Sequence, residues 1–238
     1  MKPTTLAGLV ATAFLAALPA SGAVVFDNFD SYPTGSINGK GSWEGWTGNA
    51  AAAGTVTSAL SSSAPNSLQI VRGNDTVRTF SGVNSGFWRL TLQQYIPSSA
   101  AGRTWVILMN SYPNNLDWSE QLRVDIGAGT VLSDNGFASA TVPLVKDAWA
   151  TLRFDINLTT SAVSSYYNNT LLSTHAWHDG TGVNALQGMD LYADEDTGAG
   201  TAQVGSVYYD NLTLIPEPTS LSLLVLGGIA LAFRRRIA

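Results

Sequence analysis

The side chains able to do chemistry in this 238-residue sequence are 17 acids, two histidines and seven tryptophans, with no cysteine among them. Thiolate metal sites, cysteine nucleophiles and disulfides are therefore excluded. Cleaving a glycosidic bond takes two carboxyl groups facing one cleft, which a strand supplies when its acids recur at even spacing. Glu120 and Asp125 are five apart, so a regular strand puts them on opposite faces, and Glu44 stands without another acid between Trp43 and Trp46. A catalytic dyad would have to form between strands, and no residue is assigned a catalytic role. His175 and His178 flank Trp177 and lead into Asp179, Gly180 and Gly182. A histidine pair can ligate a metal or act as a base, but the glycines mark this segment as an exposed polar loop. No Gly-x-Ser-x-Gly elbow and no phosphate-cradling glycine loop occur.

Two other groupings point to ligands. Asp27 and Asp30 lie near the start of the acidic region and Asp210 near its end, with Asp190, Asp194, Glu195 and Asp196 not far before it. Ca²⁺ collects roughly six to eight oxygens from carboxylates and carbonyls. If the first and last strands pair, as they do in many sandwiches, Asp27 or Asp30 meets Asp210, and one structural Ca²⁺ is expected there; otherwise these acids cap turns. Among the tryptophans, Trp88, Trp105 and Trp149 sit in apolar strand patterns and are expected in the core. Trp43, Trp46, Trp118 and Trp177 lie among Gly, Asn, Asp and Ser. There an indole offers a sugar ring a flat face beside hydrogen-bonding groups. These four are the candidate carbohydrate-binding residues, Trp46 and Trp118 foremost.

The elements that must position them are strands. Leu122, Val124 and Ile126 alternate with Arg123 and Asp125; Leu152, Phe154 and Ile156 with Arg153 and Asp155; Trp88, Leu90 and Leu92 with Arg89, Thr91 and Gln93. Such alternation places apolar side chains on one face of a sheet and polar ones on the other. Residues 24–29, 67–72, 76–80, 104–109, 189–193 and 205–214 read as further strands. A hairpin is expected over 166–172, turning at Asn168 and Asn169, whose short amides tolerate the left-handed conformation. Turn residues every 8 to 12 positions and about eleven to thirteen strands give an all-β sandwich.

The two ends have a different character. Lys2, an apolar run over 6–18 and small residues at Ser21, Gly22 and Ala23 make a secretory signal peptide, cut by signal peptidase after Ala23 or, alternatively, after Ala20. At the other end Pro216-Glu217-Pro218 precedes an apolar run over 221–233 and then Arg234, Arg235 and Arg236. That run is shorter than the roughly 20 residues a helix needs to span a bilayer core, and arginines beyond it favour a cytoplasmic end. Between the ends, residues 24–215 hold 8 basic and 16 acidic side chains. A net charge of −8 by that count excludes the basic footprint that nucleic acid or an anionic membrane surface requires.

The tripartite tail resembles the PEP-CTERM sorting signal. That resemblance implies an exported chain held transiently in the membrane by its C-terminal helix, then cut near 216–218 by an exosortase-type transpeptidase and left at the cell surface or in the extracellular matrix. Phe26-Asp27-Asn28-Phe29-Asp30-Ser31-Tyr32-Pro33-Thr34-Gly35, Trp43-Glu44-Gly45-Trp46 and Val207-Tyr208-Tyr209-Asp210-Asn211-Leu212 resemble concanavalin A-like (LamG-like) jelly-roll domains. The expected organisation is a signal-peptide helix over 1–23, one jelly-roll sandwich over 24–215 and a short hydrophobic helix within the sorting segment 216–238. The expected role is non-catalytic, binding or organising polysaccharide. A glycoside hydrolase or polysaccharide lyase, or a purely structural matrix or adhesion protein, is the alternative.

Overall fold

A computed structural model describes residues 24–195 and 200–217. The expected signal peptide, the tail from Pro218 onward with Arg234, Arg235 and Arg236, and Asp196 lie outside the described residues. Among the described residues no helix is long and apolar enough to cross a membrane.

The strands in chain order are β1 (Val25–Asp27), β2 (Gly35–Ser36), β3 (Trp43–Gly45), β4 (Thr55–Thr57), β5 (Ser67–Ile70), β6 (Asp75–Thr79), β7 (Phe87–Tyr95) and β8 (Arg103–Ser111). They continue as β9 (Asp117–Asp125), β10 (Thr130–Ser133), β11 (Val142–Pro143), β12 (Trp149–Asn157), β13 (Ala162–Tyr167), β14 (Thr170–Ala176), β15 (Gly188–Ala193) and β16 (Val207–Pro216). All pairings are antiparallel. One sheet runs β14-β13-β12-β7-β16-β5-β4-β2, with β1 also on β16; the other runs β11-β10-β9-β8-β15-β6-β3. The first and last strands pair as expected, Val25 opposite Leu214 and Asp27 opposite Leu212.

Alternation decides which face each residue takes. In β7 and β12 every second residue is buried, and Trp88, Leu90, Leu92, Leu152, Phe154 and Ile156 join Val106, Leu108, Leu122 and Val124 in one core between the sheets. Each such side chain contributes roughly 1.5–3 kcal/mol by leaving water. The β13–β14 hairpin turns at Asn168 and Asn169, with φ of 45° and 66°, the primed turn whose twist matches the flanking strands. The strands missed in the sequence, β2, β3, β4, β10 and β11, have two to four residues, too few for a period to show.

Parity also corrects two placements. Trp105 and Trp149 are one residue out of phase with the buried sets of β8 and β12, so both lie half-buried on outer faces. Only Trp88 of the expected three is in the core, its indole N–H donating to the Ser85 carbonyl at 2.8 Å.

Candidate functional site on the outer face of the seven-stranded sheet

Register lines up two rows across this face. Glu44, Val77, Asp190, Ile107 and Gln121 form one, and Asp75, Tyr192, Trp105 and Arg123 the next. After β3 the chain turns back over the sheet through two short 3₁₀ turns, with Thr47 in the left-handed region. This fold-back fixes Trp46: the Thr47 N–H donates to the Tyr112 hydroxyl at 2.8 Å, and that hydroxyl donates to Glu44 Oε1 at 2.7 Å. Burial, then the Glu44 carboxylate, push the Tyr112 pKa up, so the phenol keeps its proton. Trp46 consequently reaches from one edge of the sheet to Trp118 on β9. Their rings are nearly parallel, 10° apart with centroids at 6.5 Å, and Tyr112 tilts against Trp46 at 5.6 Å. Trp118 is 44% exposed. Neither indole N–H has a hydrogen-bond acceptor among the described residues.

Two depressions meet at this indole pair. One, of about 460 Å³, is lined by Trp46, Asn49, Asp75, Tyr192 and Glu195; the other, of about 380 Å³, by Trp118, Gln121, Asp134, Asn135, Phe137 and His178. In the first, Asp75 neighbours the carboxyl group of Asp190, which is almost fully buried. Burial and the neighbouring acid push the Asp190 pKa well up, and burial raises Asp75 as well, so the pair holds its protons more tightly than isolated aspartates do. Arg123 on the same face is neutralised by Asp134 at 3.0 Å.

The other two tryptophan candidates are not available to a ligand. Trp43 is 1% exposed and its indole N–H donates to Asp27 Oδ2 at 2.9 Å; Trp177 is fully buried and donates to the Ala185 carbonyl at 2.9 Å. The Asp27 carboxylate at the end of β1 and the Ala185 backbone carbonyl supply the acceptors that let both indoles be buried. The three metal candidates do not converge, and the described residues hold no cluster of three or more acids or histidines suited to a metal. Asp27 accepts from the Phe29 N–H, the Tyr32 hydroxyl and the Trp43 indole. Asp30 accepts from the Asn66 N–H and the Asn28 amide, and Asp210 from the Ser62, Ser63 and Asn211 N–H groups. These carboxylates cap turns.

The pair missed in the sequence is Glu120 with His175. His175 belongs to β14 rather than to a loop, opposite Val163, and points into the sandwich. Its Nδ1–H donates to the Ala176 carbonyl at 2.8 Å, and its Nε2 meets Glu120 Oε2 at 2.5 Å, with the two side chains 2% and 0% exposed. Asn135 donates to Glu120 Oε2 at 3.1 Å and Phe137 stacks on the imidazole at 4.7 Å, so both residues cover the pair from the second depression. Burial, the largest single influence, opposes the charged imidazole, but the hydrogen bonds to Glu120 and to the Ala176 carbonyl and the Glu120 charge together outweigh it, and the His175 pKa is raised. With both ring nitrogens engaged, His175 has no lone pair for base catalysis and instead ties β14 of one sheet to β9 of the other. The available signal was parity: Glu120 shares the phase of the buried Leu122 and Val124.

Comparison of the sequence with characterised proteins finds no match. The fold does have relatives of known structure. Over 82% of this chain a cellulose-induced protein, Cip1, superposes with a TM-score of 0.53 at 13% identity, covering 98% of its length. Alginate lyase Aly36B superposes over 84% of this chain and 100% of its own with 0.51 at 14% identity, and an endo-β-1,4-glucuronan lyase from the fungus Trichoderma reesei over 81% and 95% with 0.51 at 9%. A sialidase superposes with 0.55 at 11% identity over 82% of this chain, which spans only 19% of that protein's length. At these identities the likeness establishes a concanavalin A-like jelly-roll sandwich and nothing more. Residues 214–236 match the PEP-CTERM protein-sorting motif, which supports export of the chain and its sorting to the surface.

Proposed function

We propose that this chain is an exported, non-catalytic module that holds a neutral polysaccharide on the outer face of its seven-stranded sheet. The observation that carries the reading is the near-parallel pair of half-buried Trp46 and exposed Trp118 between two depressions, with free indole donors. Stacking faces with nearby amides and carboxyls are what sugar hydroxyls and C–H faces need. Glu44, Asp75, Asp190 and Glu195 lie along this face, whereas its arginines Arg103 and Arg123 are already paired with Asp125 and Asp134; polyuronates would be repelled, so the ligand is uncharged. In the reading proposed here a signal peptidase removes residues 1–23, the C-terminal segment anchors the chain briefly, and an exosortase-type transpeptidase releases it to the surface or matrix.

One observation favours a hydrolase as the second reading: the Asp190 pKa is pushed well up, as that of a general acid must be, next to Asp75 in the lining of the first depression. Against it, Asp190 is only 2% exposed, so it does not face a cleft opposite a second carboxyl group as glycosidic hydrolysis requires. The test is affinity electrophoresis of the full chain in gels containing neutral or uronate polysaccharides, with products scored separately. Retardation by a neutral polymer, weakened in Trp118→Ala and without products, is the expected result. Release of oligosaccharides, or retardation unchanged in Trp118→Ala, overturns it.

A further inference from the structure

The opposite side of the sandwich carries a second aromatic row. Trp149 on β12 stands opposite Tyr95 on β7, and Tyr95 opposite Tyr208 on β16. Their ring centroids are 5.6 and 6.5 Å apart. The row continues through Gln69 on β5 to Thr55 on β4, so at the usual strand spacing it is about 19 Å long. All five side chains are half-buried or exposed, and none is charged.

The hydrogen bonds of these rings set them apart from core aromatics. Trp43, Trp88 and Trp177 all bond their indole N–H inside the protein. Among the described residues, the Trp149 indole N–H and the Tyr95 and Tyr208 hydroxyls have no such partner. They are donors left facing water along an apolar strip, the arrangement in which an aromatic side chain serves an interface. The rings are tilted by 56° and 72° to one another, a stepped surface suited to an elongated ligand whose units turn along its length. The absence of charge in this row, within a domain whose net charge is −8 by its sequence, selects against both a second copy of the chain and an anionic surface.

We propose that this row is a second binding face for a neutral polysaccharide, making the domain bivalent. The inference rests on the reading of the first face and extends it. The two rows lie on the outward faces of the two stacked sheets, so two polymers held at once run on opposite sides of one molecule. Bridging then follows without self-association, and simultaneous engagement raises avidity with no new contact.

The full chain in mild detergent is mixed with a soluble β-glucan, a mannan or a galactan, and both gel retardation and light scattering are read. Wild type should be retarded and should cross-link a polymer, with scattering that rises and then falls as protein is added in excess. Trp149→Ala should abolish scattering while retaining retardation about tenfold weaker or less, the loss expected for about one stacking contact. Tyr208→Ser serves as a second variant in the same row, and thermal melts show that both fold. Trp118→Ala should likewise abolish scattering, and the Trp118→Ala/Trp149→Ala double variant should lose retardation. Cross-linking unchanged in both row variants overturns the second face while leaving the first intact, as does a sedimentation result in which wild type is a dimer that Trp149→Ala dissolves. No retardation of wild type by any polymer overturns both.

Discussion

Replacing Glu120 by alanine removes one half of a buried carboxyl–imidazole pair. Both side chains are essentially unexposed, and Glu120 accepts from His175 and Asn135. Breaking a buried pair by removing one partner costs about 3–5 kcal/mol, and for a domain of this size each kcal/mol shifts the melting temperature by roughly 2–4 °C. The Glu120→Ala melting temperature should therefore fall by roughly 6–20 °C. A pH series adds an independent check. The folded His175 pKa lies above its ordinary value of 6.5, so its contribution is fully present below that value and is lost as pH rises through the folded pKa. Wild type should lose stability on the alkaline side, and Glu120→Ala should lack that component. Glu120→Gln, which can still donate to a neutral Nε2, should lack it too at a smaller cost in stability. Calorimetry of the full chain between pH 5 and 9 reads both quantities. A Glu120→Ala stability within about 0.5 kcal/mol of wild type, or an unchanged pH profile, refutes the tie between the sheets.

Other outcomes follow from the same geometry. Asp190→Asn should stabilise the protein at neutral pH, because folded-state pKa values raised in Asp75 and Asp190 make stability fall as pH climbs through them; the gain should vanish near pH 4, as acid-range melts would show. Asp27→Ala strands the buried Trp43 indole N–H and should cost about 1–3 kcal/mol in denaturant unfolding. Because N–H and O–H donors fill Asp27, Asp30 and Asp210, EGTA should leave the melting temperature unchanged. Trp118→Ala should change stability by less than about 0.5 kcal/mol, separating its effect on glycan retention from any effect on folding.

Long strands were legible because their polarity alternates over seven or more residues, and the Asn168-Asn169 turn because few residues tolerate its dihedrals. Within such a strand parity outranks residue type: Trp149 is out of phase with Leu152 and Phe154, and its size does not bring it inside. Local composition misled in the other direction at Trp43 and Trp177, where Gly, Asp and Ser neighbours signalled exposure. Acceptors come from elsewhere in the fold, and the Asp27 carboxylate on β1, 16 positions away, was enough to bury Trp43. Trp46 and Trp118 were named from the sequence, but their mutual stacking depends on the left-handed turn at Thr47. Glu120 and His175 are 55 positions apart on different sheets, a distance over which no spacing rule reaches.

The last strand also has a mechanical meaning. β16 is bonded to β7 along one side and to β5 and β1 along the other. Its order persists into the sorting motif, with the Glu217 N–H donating to the Phe87 carbonyl at 2.9 Å and its carboxylate 3.0 Å from Arg89. Among the described residues, which reach Glu217, no linker intervenes between the strand and the start of the motif. Tension applied through that motif along the β16 axis therefore shears rungs on both flanks together instead of peeling them one at a time. Resistance to such a pull is governed by the unfolding rate rather than the equilibrium stability, and the strand that takes the load is an interior one, gripped from both sides.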